Sequence, residues 1–168
     1  SYASIGSGLN PKLVSHVLGI TKAYTTRVGN GPFPTELDNE IGNKLGEIGH
    51  EFGTVTNRKR RCGWFDSVLV RQAMTQSGVT GIALTKIDVL DTFEEIQICI
   101  GYRLNGKIID YFPSSEDDQA NVEPIYESFE GWKTTTTGIS NFDDLPDLAK
   151  KYINRISTLT NTKIDLIS

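Results

Sequence analysis

The sequence predicts an α/β fold in which helices flank a mixed β-sheet, and three observations support this prediction. Residues 79–84 form a short apolar run after a glycine, as expected of a buried central strand. Residues 95–104 alternate apolar and polar side chains and lead into an Asn-Gly pair at 105–106, a strong hairpin signal. Residues 145–159 repeat apolar side chains at helical spacing. Strand and helix periods therefore both occur in a chain of 168 residues, the length of one ordinary domain.

The first third of the chain is expected to contain two helices. Residues 1–9 are glycine-rich and predict a loop, whereas Asn10-Pro11 combines a helix cap with proline at the first helical position. Apolar side chains at helical spacing then predict a helix over about 10–24. Glycines and prolines interrupt regular structure at 29–34, and a second helix is predicted over 38–49. Its apolar face would consist of Leu37, Ile41, Leu45 and Ile48.

The middle of the chain predicts a loop, a helix and a hairpin. Residues 53–62 are polar and basic and are interpreted as a loop. Asp66-Ser67 can cap a helix that continues to about Gln76. The hairpin strand 95–104 would return along residues 107–112.

The last third is less regular until its end. The acidic stretch 116–118 is interpreted as a solvated turn, and residues 121–138 as irregular or short-stranded. Residues 143–146 would cap and open a final helix, and residues 163–167 a last strand. The helix's apolar stripe would be Leu145, Leu148, Tyr152, Ile156 and Leu159. Residues 1–168 are taken as a single partial domain.

Composition excludes several classes of protein. With 38% apolar and 23% charged residues the chain can build a core, and its formal charge of -4 argues against a surface that attracts nucleic acid everywhere. Cys62 and Cys99 provide no disulfide framework, which favours reduced thiols and a cytoplasmic location. No apolar run approaches eighteen residues, so no membrane partner is expected. The chain begins without Met, from which we expect it to start partway through a longer protein.

Four consecutive cations, residues 58–61, form the first candidate site. They could be a solvated basic turn. They could form a nuclear-localisation or nucleic-acid-binding patch, although few aromatic residues interleave with them. They could also recognise a small anion, because guanidinium groups bind carboxylates and phosphates through paired hydrogen bonds. Thr54 and Thr56 beside them would add hydroxyl and backbone donors.

The second candidate site is Thr85-Lys86-Ile87-Asp88, at the end of the predicted buried strand. By itself this short string could be a strand end with two surface charges. A guanine base offers N1–H and N2–H₂ donors on one edge, and one carboxylate accepts both, whereas adenine cannot satisfy it. The lysine stem could cover the base while its ammonium stays in water. Ligands bind at the carboxyl ends of strands in α/β sheets.

Seven collinear segments, which include both candidate sites, extend over nearly the whole chain. They are residues 29–37, 51–53, 54–61, 61–66, 85–91, 122–127 and 131–132. In this order they resemble the adenylosuccinate synthetase family. The resemblance implies a carboxy-terminal-side segment of the larger P-loop-NTPase-like fold of that family. It also implies a ligase of purine biosynthesis that joins IMP and L-aspartate with GTP hydrolysis, giving adenylosuccinate, GDP and phosphate.

The resemblance also implies roles for individual residues. Residues 54–60 match a loop that closes over aspartate, Arg58 and Val28 match contacts to IMP, and Arg60 also lies near the GTP phosphates. The aspartate-binding positions are thus Thr54, Val55, Thr56, Asn57, Arg58, Lys59 and Arg60. The GTP-binding positions are Arg60, Lys86, Ile87, Asp88 and Ser168. Val55 stands where a second threonine is usual, and Asn57 stands where glycine is usual, which a left-handed backbone would accommodate.

The family's catalytic acid and base, its phosphate-binding loop and its metal ligands match nothing in residues 1–168. His16 and His50 are interpreted as structural or surface residues, and no G-x-x-x-x-G-K motif occurs. The resemblance implies Mg²⁺ held mainly by the amino-terminal part and a homodimer at full length. Residues 1–168 alone are expected to be inactive. A free-standing guanine-nucleotide binding module without catalysis is the alternative.

Overall fold

The computed structural model describes residues 3–55 and 57–168. Short 3-10 helices lie at Pro11–Leu13, Ile87–Leu90 and Phe142–Asp144. The α-helices are α1 (Ala3–Ser7), α2 (Glu40–Ile48), α3 (Ser67–Ser77), α4 (Glu116–Asn121) and α5 (Asp147–Thr160). The strands are β1 (Leu18–Lys22), β2 (Thr25–Arg27), β3 (Arg61–Gly63), β4 (Phe65–Asp66), β5 (Gly81–Thr85), β6 (Glu95–Leu104), β7 (Lys107–Ile109), β8 (Glu123–Glu130) and β9 (Lys163–Ile167).

The predicted α/β class is confirmed, and the strands form three sheets among the described residues. A parallel sheet has the order β1-β5-β9, and β2 pairs with β3 in an antiparallel ribbon. The third sheet is mixed, because β6 pairs in parallel with β4 and antiparallel with β7 and β8. One apolar cluster includes residues from β5, β6, α2 and α5 and so joins these layers.

The predicted central strand and hairpin are confirmed. β5 lies between two parallel neighbours, and Ile82 and Leu84 on it are fully buried. β6 covers residues 95–104 as expected, and both turn residues, Asn105 and Gly106, have positive φ (51° and 77°). Positive φ at both central positions is the geometry of a type I′ hairpin turn. The return strand β7 is shorter than expected and ends at residue 109.

The helix predicted over 10–24 is wrong. Asn10 caps as expected, since its side chain accepts from the N–H of Lys12, but the helix is a single 3-10 turn at Pro11–Leu13. Residues 18–22 are instead β1, which pairs with β5 along its whole length. The β-branched residues of this segment suit a strand, and pairing with a buried strand outweighs the helical spacing.

The helix predicted over 38–49 is confirmed, but its buried face differs from the prediction. Leu45 is fully buried together with Gly42 and Gly46, whereas Ile41 and Ile48 remain 39% and 38% exposed. Glycine is needed because a Cβ at Gly42 would lie 1.8 Å from the carbonyl oxygen of Leu37. The helix therefore packs through a glycine face.

Gly42→Ala is expected to destabilise the fold by about 2–3 kcal/mol, because the added methyl overlaps backbone that has no free rotation to move away. The thermal unfolding midpoint of the variant would show the loss. Gly6→Ala is the matched control, since a Cβ there meets nothing within 4 Å. Equal midpoints for the two variants would contradict the close packing of α2.

The capping of α3 and the stripe of α5 agree with the sequence. The Asp66 carboxylate accepts from the N–H groups of Val68 and Leu69, and the Tyr102 hydroxyl donates to it at 2.6 Å. Burial raises the pKa of Asp66, although these hydrogen bonds act to lower it. Tyr152 of α5 is fully buried and donates to the carbonyl of Ala23 at 2.7 Å. α5 is thereby fixed to the end of β1.

Residues 121–138 were expected to be irregular or short-stranded, and the structure has one strand of eight residues, β8, in the first half of this segment. β8 pairs antiparallel with β6 over residues 95–103 of the latter. The sequence there shows no regular alternation of apolar and polar side chains and contains Pro124, which is tolerated at a sheet edge. Likewise, the acidic stretch 116–118 forms the first turn of α4 rather than an open turn. No helix within residues 3–55 and 57–168 is long and apolar enough to cross a membrane.

Candidate functional site

A cavity of about 900 Å³ opens at the carboxyl ends of β5 and β9. Lys86, Ile87, Asp88 and Ser168 all line it, so the fold brings together the four candidate GTP-binding residues that lie outside the basic loop. Backbone hydrogen bonds hold this arrangement: the Ser168 N–H donates to Leu84 and the Ile87 N–H to Ser168. The volume is within the range of small-molecule sites.

Lys86 has an unusual backbone and a fixed ammonium group. Its φ of 60° is left-handed, which non-glycine residues rarely adopt and which recurs at ligand sites. Its Nζ donates to the carbonyl of Gly49 at 2.5 Å and to Glu51 Oε1 at 3.2 Å. The ammonium is therefore hydrogen-bonded to two protein groups on a side chain that is 38% exposed.

Asp88 is exposed in the cavity, whereas the nearby Asp91 is buried. Asp91 accepts from the indole N–H of Trp132 at 2.7 Å and from the N–H and hydroxyl of Thr136 at 2.7 and 2.8 Å. Residues 136–142 also line the cavity. Asp91 thus ties one cavity wall to the segment that carries Asp88.

Backbone contacts join the two ends of the basic loop, the polar and basic segment of residues 53–62. Phe52 and Lys59 form an antiparallel bridge, and the N–H of Gly53 donates to the carbonyl of Arg58. Asn57 has a φ of 51°, which confirms the left-handed backbone expected where Asn replaces glycine. Val55 is 95% exposed at the tip. Thr54 is exposed too, and Thr56 lies outside the described residues.

The cations of the basic loop differ in their partners. Arg61 Nε bonds to Glu36 at 2.6 Å, and its NH1 donates to the carbonyls of Gly29 and Gly31, so it fixes the preceding loop. This ion pair lowers the pKa of Glu36. The Lys59 ammonium bonds to the amide of Asn43.

Arg58 is exposed and has no carboxylate partner among the described residues. It lines a small cavity of about 100 Å³ together with Val28 and Arg60. The candidate IMP residues therefore lie side by side. A guanidinium without a partner beside a cavity is suited to bind an anion.

Glu51 connects the loop to the large cavity. Its side chain is fully buried, and Oε1 accepts from Lys22 Nζ at 2.7 Å, from the Tyr24 hydroxyl at 2.6 Å and from Lys86 Nζ. Oε2 accepts from Arg60 NH1 at 2.8 Å. Burial alone would raise the pKa of Glu51, but these hydrogen bonds outweigh it and lower the pKa to about 2. Three cations thus surround one ionised carboxylate.

Glu51→Gln is expected to destabilise the fold at pH 7 by roughly 3 kcal/mol, because three partly buried cations lose their counter-charge. A carboxylate whose pKa falls on folding contributes stability above its unfolded pKa, and this contribution is lost as the pH falls through the folded pKa. The difference between wild type and variant should therefore narrow from about pH 4.5 to about 2. Urea midpoints measured across this range test it, and a difference independent of pH would contradict the prediction.

Sequence reasoning missed Glu51, Lys22 and Tyr24 as members of this cluster. The segment that contains Lys22 and Tyr24 was expected to be helical, so the strand end that carries them was overlooked. A strand over 18–22 would have placed Lys22 at the same sheet edge as Thr85, its register partner in β5. Glu51, although adjacent to the basic loop, gives no local signal of burial.

The two histidines take no part in this arrangement. His16 Nδ1 lies 2.9 Å from the Thr80 hydroxyl, and Nε2 lies 3.4 Å from Asp165, on a half-exposed side chain. His50 has a left-handed φ of 51° at the end of α2. Within the described residues no group of three His, Cys, Asp or Glu side chains could hold a metal ion.

A parallel sheet whose strand ends line a large cavity beside a basic loop is typical of an α/β protein that binds anionic small molecules. The sequence profile described as adenylosuccinate synthetase matches residues 1–168. The chain belongs to the adenylosuccinate synthetase family, a family of ligases.

A solved structure supports this assignment. The chain is similar to a fully ligated adenylosuccinate synthetase from Plasmodium falciparum, with 41% sequence identity and a TM-score of 0.93. The match covers 98% of this chain and 40% of that chain. The chain thus spans about two fifths of the length of that relative.

Proposed function

We propose that the complete protein is an adenylosuccinate synthetase that joins IMP and L-aspartate with GTP hydrolysis. Family membership and the likeness to a solved synthetase support this activity. Residues 1–168 would form a carboxy-terminal-side part of one larger domain, inactive alone. The complete protein would act as a homodimer in the cytoplasm, with no nucleic acid or membrane as partner.

In this proposal the large cavity is the guanine site. The single observation that carries it is that Lys86, Ile87, Asp88 and Ser168 line one cavity at strand ends. Asp88 would accept from N1–H and N2–H₂ of the base, because its exposed carboxylate has no ion-pair partner among the described residues. The anchored Lys86 would lie against the base face.

The basic loop would bind the other two substrates. Arg58 and Val28 would contact IMP at the small cavity they share. Arg60 would bind the aspartate carboxylate and lie near the GTP phosphates, and residues 54–59 would close over aspartate. Mg²⁺, which would neutralise phosphate charge, is assigned in this proposal mainly to the remainder of the protein, as the family resemblance implies.

Nucleotide discrimination by the complete protein tests this proposal. Adenylosuccinate formation from IMP and aspartate should proceed with GTP and be lower with ATP by a factor on the order of 10⁴, because adenine leaves the Asp88 carboxylate unsatisfied. The rate with inosine triphosphate, which lacks only the 2-amino group of GTP, should lie between the rates with GTP and ATP. Equal rates with GTP and ATP would contradict the guanine site. A guanine-nucleotide module without catalysis would bind GTP and form no adenylosuccinate.

A further inference from the structure

Glu51 is bonded at once to a residue of the proposed aspartate loop and to a residue of the proposed guanine site. Its Oε2 accepts from Arg60 and its Oε1 from Lys86. The backbone strengthens the first link, since the N–H of Arg60 donates to the carbonyl of Glu51 at 2.9 Å. One fully buried carboxylate therefore fixes the side chains of two cations from different parts of the chain.

Glu51 itself is held in place independently of both cations. Its N–H donates to the carbonyl of Gly46 in α2 at 2.8 Å, and its side chain accepts from Tyr24 and Lys22. Arg60 and Lys86 are each about one-third exposed, at 32% and 38%, so each has one part bound to Glu51 and another part free. The carboxylate is thus a shared anchor for two partly exposed cations that belong to the proposed ligand-binding groups.

We propose that Glu51 is a positioning residue that couples binding at the aspartate loop to binding at the guanine site. This inference rests on the proposed function. Both cations bond to the same carboxylate, so a nucleotide contact that holds the Lys86 ammonium at Glu51 keeps that carboxylate neutralised and leaves more of the positive charge of Arg60 for aspartate. By linkage, aspartate strengthens nucleotide binding by the same factor.

The test uses Glu51→Gln in the complete enzyme, with KM for each of the three substrates. The amide keeps the shape but loses the charge and one acceptor, so KM for aspartate and KM for GTP should each rise about tenfold. KM for IMP should change less than about twofold, since neither IMP residue is bonded to Glu51. A residue with a merely structural role would lower the amount of active enzyme without raising either KM.

Tyr24→Phe is the matched control. It removes a hydrogen bond of 2.6 Å to the same carboxylate without changing Arg60 or Lys86. Its unfolding midpoint should fall, and its KM values for aspartate and GTP should rise less than about threefold, because the charge of Glu51 and its bonds to Arg60 and Lys86 remain. Equal KM changes for Tyr24→Phe and Glu51→Gln would overturn the proposal, as would a rise in only one of the two KM values for Glu51→Gln.

Lys86→Met provides a second route if Glu51→Gln does not fold. Its KM for aspartate should rise about fivefold, although Lys86 is not proposed to touch aspartate, because the effect passes through Glu51. An unchanged aspartate KM would overturn the coupling. Asp88→Asn distinguishes failure of the coupling from failure of the proposed guanine site. If Asp88→Asn raises KM for GTP while the tests at Glu51 fail, only the coupling is wrong. If Asp88→Asn leaves KM for GTP unchanged, the guanine site itself is wrong.

Discussion

Asp88→Asn in the complete protein is expected to raise KM for GTP about 100-fold, while KM for IMP and for aspartate changes less than about threefold. The carboxylate would accept two hydrogen bonds from guanine, and bonds to a charged group contribute about 1.5–3 kcal/mol each. The asparagine presents an NH₂ donor to one of the guanine donors, so one bond is lost and one contact becomes repulsive. Steady-state kinetics with each substrate varied in turn would measure the change.

Xanthosine triphosphate tests whether Asp88→Asn gains a new nucleotide preference as well as losing affinity for GTP. Its base has a carbonyl at C2 in place of the amino group, which matches the NH₂ of asparagine, so the variant should prefer it to GTP. Asp165→Asn is the control, because Asp165 lines the same cavity but pairs with His16 and Lys163. An effect of Asp165→Asn on GTP as large as that of Asp88→Asn would contradict the assignment.

The elements that the sequence predicted well are those whose signal is local. The Asn-Gly turn needs only two residues with positive φ, and the Asp66 cap needs only the first turn of its helix. The prediction for residues 18–22 failed because pairing with β5, about sixty residues further along the chain, decides their secondary structure. No periodicity within the segment indicates this pairing. Pairing with β6 decides β8 in the same way.

The candidate site shows the same division. The sequence identified the two motifs, and the fold places four residues of the guanine motif in one cavity. It did not reveal that Lys86 and Arg60 share one carboxylate, because Glu51 becomes important only through burial and through Lys22 and Tyr24 from a strand that was expected to be a helix. Long-range packing, rather than motif chemistry, connects the two candidate sites.

Arg60→Leu is expected to raise KM for aspartate about 30- to 100-fold, and KM for GTP by a smaller factor. The guanidinium would bind a substrate carboxylate, and removal of one partner of such a charge pair costs about 2–5 kcal/mol. Glu51 keeps its bonds from Lys22, Tyr24 and Lys86, so the fold should survive the substitution. Kinetics at saturating IMP and GTP would measure the aspartate requirement.

Arg61→Leu removes the neighbouring charge and separates electrostatic attraction from a specific contact. Its guanidinium is bonded to Glu36 and to the carbonyls of Gly29 and Gly31, so the loss should lower the thermal midpoint. If a basic loop attracted aspartate by charge alone, the two variants would raise KM for aspartate equally, and added salt would weaken both effects. If Arg60 binds the carboxylate directly, Arg61→Leu should leave KM for aspartate within about threefold of wild type. The position of Glu51 favours the second outcome, because it orients one guanidinium of the loop and leaves the other to Glu36.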